Sequence, residues 1–277
     1  MEAEAPPESI RHVTSADGSS IGFEVVGSGP SLLLVHTMAI DRTQFAPIKD
    51  LLAGDFTLHL PDRRGYGLNE EVPDDGYSLE REAEDVAALV EAIGEDVLVW
   101  GHSYGGVCVL EAAAGGVRFK SILADDIAVG GPNPPVQPEL TEGMASALEA
   151  GDRDSALEQF LRTIVGLNDE QIGMQRGTPF WETRAASIHL FVRDALACNH
   201  YQYDPESLAQ VECPVRFVFG RESPPIMREG TEAAHNAMPG SELTVVDGRL
   251  FTTMYTDSES AARQVREWLL GDGRQDD

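Results

Sequence analysis

The stretch best suited to chemistry is Gly101-His102-Ser103-Tyr104-Gly105-Gly106. A serine set between glycines two residues away suits a sharp turn that lifts its hydroxyl clear of the chain. The glycines remove the Cβ atoms that would crowd such a turn. The chemistry this suggests is nucleophilic. A hydroxyl attacks a carbonyl, a base takes its proton, a carboxylate orients the base, and backbone N–H groups hold the oxyanion. Carboxylates that could serve are Glu222, in Gly220-Arg221-Glu222-Ser223-Pro224, and the pair Asp125-Asp126. Seven histidines are present. His12 and His59 read as surface or packing residues, His36 and His102 as buttresses of their turns, and His235 as solvated. His189 and His200 lie in a helical stretch from which an imidazole could reach a pocket.

Positioning such groups takes a rigid frame, and the pattern around Ser103 supplies one. The apolar run at 96–100 predicts a strand leading into the turn, and residues 107–114 predict a helix leaving it. Further strands are expected at 10–14, 21–26, 31–36, 56–60, 119–124, 214–220 and 242–246. Helices are expected at 41–53, 78–93, 140–150, 155–165, 169–175, 183–198, 226–238 and 258–270. Strands alternating with helices, several buried on both faces, imply an α/β fold with a mainly parallel eight-stranded sheet and helices on each side. The first two strands, joined by Ala16-Asp17-Gly18-Ser19, should be antiparallel at one edge. Strand rhythm stops at Gly130-Gly131-Pro132-Asn133-Pro134-Pro135 and resumes near Pro214. The block at 133–206 is therefore expected as a helical cap over the carboxyl ends of the strands, where ligands bind. The core is expected at 9–132 and 207–271, with tails at 1–8 and 272–277.

Composition narrows the partners. The chain has 277 residues, 47 acidic against 20 basic, and a formal charge of -27. Such a surface repels nucleic acid and anionic lipid, so neither is expected as a partner. Cys108, Cys198 and Cys213 are too few and scattered for a disulfide framework or a zinc site. No Gly-x-Gly-x-x-Gly follows the first strand, and no metal or cofactor is expected. No run approaches the roughly 20 apolar residues of a membrane span. Residues 1–8 lack the apolar core of a signal peptide. The expectation is a cytoplasmic protein acting on a small molecule, with a homodimer left open.

The His36 turn, Asp62-Arg63-Arg64-Gly65, the Ser103 turn, a helical cap, Gly220-Arg221-Glu222-Ser223-Pro224 and a final strand–loop–helix occur in that order. Together they resemble the α/β-hydrolase superfamily, in its small bacterial, helical-cap form, over about residues 9–270. The resemblance implies Ser103 as nucleophile, Tyr104 as one oxyanion N–H, and Glu222 as the acid, with Asp125 or Asp126 as alternatives. Two positions depart from it. The loop Asp247-Gly248-Arg249-Leu250-Phe251-Thr252-Thr253-Met254 holds no histidine, and the register puts Phe251 in the histidine position and Leu250 where glycine is usual. In the oxyanion loop, Thr37 then Met38 follow His36 where glycine is usual. Phenylalanine cannot move a proton. Ser103 then becomes a hydrogen-bonding residue and Glu222 the proton carrier. That favours non-hydrolytic lyase, cyclase or isomerase chemistry, as in natural-product biosynthesis. The alternatives are an ester hydrolase using His189 or His200, and a non-catalytic binding homologue. The pocket is expected to be lined by Met38, Phe45, Tyr104, Phe180, Trp181, Phe191, Phe251 and Met254. It would suit an apolar substrate, with Arg249 and Tyr66 as further polar contacts.

Overall fold

The computed structural model describes residues 9–70, 76–128 and 136–271. Eight strands form one sheet: β1 (Ser9–Thr14), β2 (Ser20–Gly27), β3 (Ser31–Val35), β4 (Thr57–Pro61), β5 (Leu98–His102), β6 (Ser121–Asp125), β7 (Val215–Gly220) and β8 (Glu242–Val246). Their order is β1-β2-β4-β3-β5-β6-β7-β8. β2 is antiparallel to both β1 and β4, and every other pair is parallel.

Helices α1 (Ala46–Leu52), α2 (Leu79–Ile93) and α3 (Tyr104–Ala114) come from the first half. Between β6 and β7 lie α4 (Pro138–Glu149), α5 (Arg153–Phe160), α6 (Asp169–Gln175), α7 (Pro179–Ser187), α8 (Leu190–His200) and α9 (Pro205–Leu208). Then come α10 (Pro225–Ala237), α11 (Thr253–Thr256) and α12 (Ser258–Leu270). The expected tails and the 132/133 boundary lie outside the described residues.

Side-chain alternation along the strands divides the core into two layers. Leu33, Val35 and Val99 face α2, α3 and the inserted helices. Leu32, Leu34, Leu98 and Trp100 face α1 and α12. Ser78 caps α2 by accepting from the Arg81 N–H, and Val86, Leu89 and Val90 are buried from it. Each such burial contributes about 1.5–3 kcal/mol. Two expected helices are broken. The stretch 41–53 is a 3-10 turn, Arg42–Phe45, followed by α1, because Pro47 in the first turn of α1 has no N–H to continue a preceding helix. The helix expected at 183–198 is α7 and α8. Near their junction the Ser187 hydroxyl donates to the Thr183 carbonyl at 3.1 Å, a back-bond of the kind that disturbs helices.

Candidate active site

Ser103 stands between β5 and α3 at φ 53°, ψ -119°. A non-glycine residue in this region carries roughly 1–3 kcal/mol of strain, so the surroundings must impose it. Its N–H donates to the Asp125 carbonyl at 2.7 Å, and its own carbonyl accepts from the Gly106 N–H at 2.9 Å. A Cβ on Gly105 would stand 2.2 Å from the Val35 carbonyl oxygen. That neighbour is backbone and cannot step aside. Gly105→Ala is expected to lower stability by about 4 kcal/mol or more, read as the urea midpoint. A midpoint within 0.3 M of the parent would contradict this packing.

Tyr104 opens α3, so its N–H has no acceptor inside the helix. It lines a small cavity with Ser103, Thr37, Met38, Phe191 and Phe251. The cavity holds about 20 Å³, room for roughly one water. The Ser103 hydroxyl has the Met227 sulfur at 4.0 Å as its weak partner. The Thr37 N–H is already given to Gln44 Oε1 at 2.8 Å. The Thr37 N–H is therefore not free to meet a bound oxygen.

None of the seven histidines lines this cavity. The Phe251 ring packs on His102 with centroids 4.7 Å apart. His102 Nδ1 lies 2.9 Å from Gln44 Nε2, and burial lowers its pKa to about 4. His36 Nδ1 bonds the Thr37 carbonyl at 2.7 Å, and its Nε2 accepts from the Arg63 N–H at 2.8 Å. Both ring nitrogens are thus used, and burial lowers its pKa to about 3. The two substitute bases also lie elsewhere. His200 is exposed with Nδ1 on the Leu196 carbonyl, and His189 sits in the turn between α7 and α8.

The acid assigned from sequence needs correction. Glu222 is exposed and does not reach the cavity, because the turn after β7 points the next side chain, Ser223, inward instead. The buried carboxylates are Asp125 and Asp126. Arg249 holds Asp125 with both terminal nitrogens, at 2.7 and 2.6 Å, and Trp100 Nε1 adds a bond at 3.2 Å. Asp126 lies 3.6 Å from Arg249 and is raised to about 7, by burial first and then by Asp125. Its native pKa exceeds the unfolded value, so this group favours folding at low pH. That advantage is lost as pH rises from about 4 to about 7. Asp126→Asn should therefore be close to neutral at pH 4 and stabilising by a few kcal/mol at pH 8. Urea midpoints at both values test it, and an equal effect at both would overturn the assignment.

Several expected pocket residues belong to the core. Phe45 packs on Trp100 with centroids 5.4 Å apart, and Met254 is buried in the same layer. Trp181 turns its Nε1 to Asp154 at 2.7 Å, and Phe180 packs on Tyr255. Their apolar character marked burial, and the face on which each is buried follows from the packing. Met38, Tyr104, Phe191 and Phe251 do line the cavity. Tyr66 is bound to Asp194 at 2.8 Å and Arg249 to Asp125, so neither offers a contact to the cavity.

Beside the turn that carries His36 and Thr37 lies a buried polar network. Arg63 pairs with Glu82 at 2.7 Å and Asp194 at 2.9 Å, and packs 4.4 Å over the Tyr104 ring. Asp194 and Arg193 come from α8, so this network ties the inserted helices to the sheet. Asp62 accepts from the Arg42 and Leu68 N–H groups, each at 2.7 Å. A Cβ on Gly67 would fall 2.1 Å from that carboxylate. Gln44 and Ser223 were not singled out by sequence. Both are single polar residues with no repeating pattern around them, and only their burial reveals them.

The chain matches the Alpha/beta hydrolase family over residues 32–249 and belongs to it. Among named relatives, it is 30% identical over 129 residues to 2-(acetamidomethylene)succinate hydrolase from Mesorhizobium japonicum, covering 46% of this chain and 44% of that protein. It is 36% identical over 147 residues to pimeloyl-[acyl-carrier protein] methyl ester esterase from Stenotrophomonas maltophilia, covering 50% and 53%. The chain spans about half the length of the curated relatives it matches. Among solved structures, an alpha/beta hydrolase from Sphaerobacter thermophilus superposes with a TM-score of 0.73 at 27% identity, over 86% of this chain and 93% of that one. The esterase RhEst1 from Rhodococcus sp. ECU1013 does so at 0.78 and 22%, over 96% and 100%, a likeness of fold. Among the described residues, no helix is long and apolar enough to cross a membrane.

Proposed function

We propose that this chain binds a small, largely apolar carbonyl compound at the Ser103 turn and converts it without an acyl-serine intermediate. The observation that carries this is the absence of any histidine, carboxylate or lysine among the described residues lining the Ser103 cavity. Without a base, the serine hydroxyl keeps its high pKa and is a poor nucleophile. The Ser103 hydroxyl and the Met38 and Tyr104 N–H groups are suited to charge growing on a carbonyl oxygen, beside Thr37 and Cys198, which also line the cavity. That arrangement serves elimination, ring closure or isomerisation in which the proton moves within the substrate or to water. The names of the relatives, a hydrolase and an esterase, support a carbonyl substrate.

A fluorophosphonate probe tests the serine. Ser103 should stay unlabelled at neutral pH, and rapid stoichiometric labelling would sink the reading. The same lack of a proton carrier favours a second reading, a binding homologue without turnover. Deuterium exchange next to the carbonyl of a bound apolar ketone separates the two. Exchange above the solvent rate that disappears in Ser103→Ala supports conversion, and binding without exchange supports the second reading.

A further inference from the structure

Among the described residues five arginines are buried, and four of them hold a carboxylate: Arg63, Arg64, Arg193 and Arg249. The fifth, Arg184 on α7, is 6% exposed and has no ion pair with a described residue. Its Nε lacks any hydrogen-bond partner. The guanidinium is flanked instead by rings, with the Phe160 and Phe180 centroids each 5.3 Å from its carbon. Rings offset only part of what a buried cation loses in leaving water. Burial accordingly pulls its pKa down to about 10, which still leaves it charged at neutral pH. The one titratable group that acts on it is the phenol of Tyr255, from α11. Phe180 packs on the Tyr255 ring with centroids 5.0 Å apart, so cation, phenol and rings form one cluster where the inserted helices meet the segment after Phe251.

Phe160 connects this cluster to the Ser103 cavity. One side of its ring carries Arg184, and the residue also lines the cavity, edge-on to Phe191 with centroids 4.8 Å apart. We propose that Arg184 and the Tyr255 hydroxyl form the anion subsite of the pocket, and that the ligand is an apolar molecule ending in a single carboxylate. This rests on the reading of the pocket proposed above and narrows its substrate class. The planar fork of a guanidinium matches a carboxylate's two oxygens, and a phenol can donate a further bond. One positive charge balances one carboxylate, whereas a phosphate dianion would leave a net charge buried. The ligand's body would lie along Phe160 and Phe191, toward Ser103. The cavity, with room for about one water, must widen to admit it.

The experiment compares octanoate with octanamide by calorimetric titration of the full chain, in the parent, Arg184→Met and Tyr255→Phe. The parent should bind octanoate about tenfold or more tighter than octanamide, because hydrogen bonds between charged groups are the stronger ones. Arg184→Met should erase that preference, weakening octanoate far more than octanamide, and Tyr255→Phe should reduce it several-fold. Methionine keeps the apolar stem and removes an uncompensated charge, so the variant's urea midpoint should not fall, and lost binding cannot be blamed on unfolding. Equal affinity for the two ligands in the parent, or a preference that survives in Arg184→Met, would overturn the subsite. In both cases octanamide binding would leave the apolar pocket standing. Binding of neither ligand would overturn the subsite and the pocket reading together. Labelling of Ser103 by the fluorophosphonate would sink the proposed chemistry alone.

Discussion

Phe251→His is expected to raise the rate of Ser103 labelling by a fluorophosphonate about 10²–10⁴-fold, the usual contribution of a positioned general base. Phe251 and Ser103 share the wall of one small cavity, so an imidazole at 251 enters the space beside the hydroxyl. No other titratable group need move. The gain should fall toward the lower end of that range. Arg249, two residues earlier, already engages both terminal nitrogens with Asp125, and Asp126, the less engaged of the two buried carboxylates, is the one expected to orient a new imidazole. Adding Asp126→Asn to Phe251→His should then cut the labelling rate again, and adding Ser103→Ala should abolish it. A Phe251→His protein that labels no faster than the parent would show that something besides the missing base silences the serine.

The second large effect concerns how the inserted helices are held. Asp194→Asn should destabilise the chain by about 3–5 kcal/mol, the usual result of stripping one partner from a buried ion pair. In a domain of this size that is a melting shift on the order of 10 °C. The carboxylate is fully buried, bonds Arg63 at 2.9 Å and Arg193 at 3.0 Å, and accepts from the Tyr66 hydroxyl at 2.8 Å. Its loss leaves Arg193 with no carboxylate and Arg63 with Glu82 alone. Burial acts to raise the pKa of Asp194, but Arg63 and Arg193 outweigh it and hold the carboxyl below the ordinary value. Its contribution is therefore present above the unfolded carboxylate pKa and lost as pH falls through the native one. The gap between parent and variant should narrow in acid. Tyr66→Phe removes one neutral donor and should cost only about 1 kcal/mol. Equal melting losses in the two variants would refute the charge-based account.

Much of the frame was legible because local patterns specify it. Continuous apolar runs mark strands buried on both faces, and each appears in the sheet within a residue or two. Gly101, Gly105 and Gly106 announce the turn because no other residue fits there: a Cβ on Gly101 would stand 2.4 Å from the Gly106 Cα. That the loop after β8 contains no histidine was plain from its residues. The carboxylate was not. Glu222 and Ser223 are neighbours, and which of them points inward depends on how the backbone leaves β7. Sequence cannot see a one-residue change of facing in an irregular turn.

Residue types and their order thus determined the α/β frame, the family and the place of Ser103, because strand burial, tight turns and proton-transfer capacity belong to single residues or short stretches. The tertiary structure alone decided the partners. It gave Arg249 to Asp125 and Arg63 to Asp194, used the Thr37 N–H on Gln44, turned Glu222 to solvent and left Arg184 among rings. Those outcomes depend on contacts between residues as many as 131 positions apart, and no local pattern encodes them.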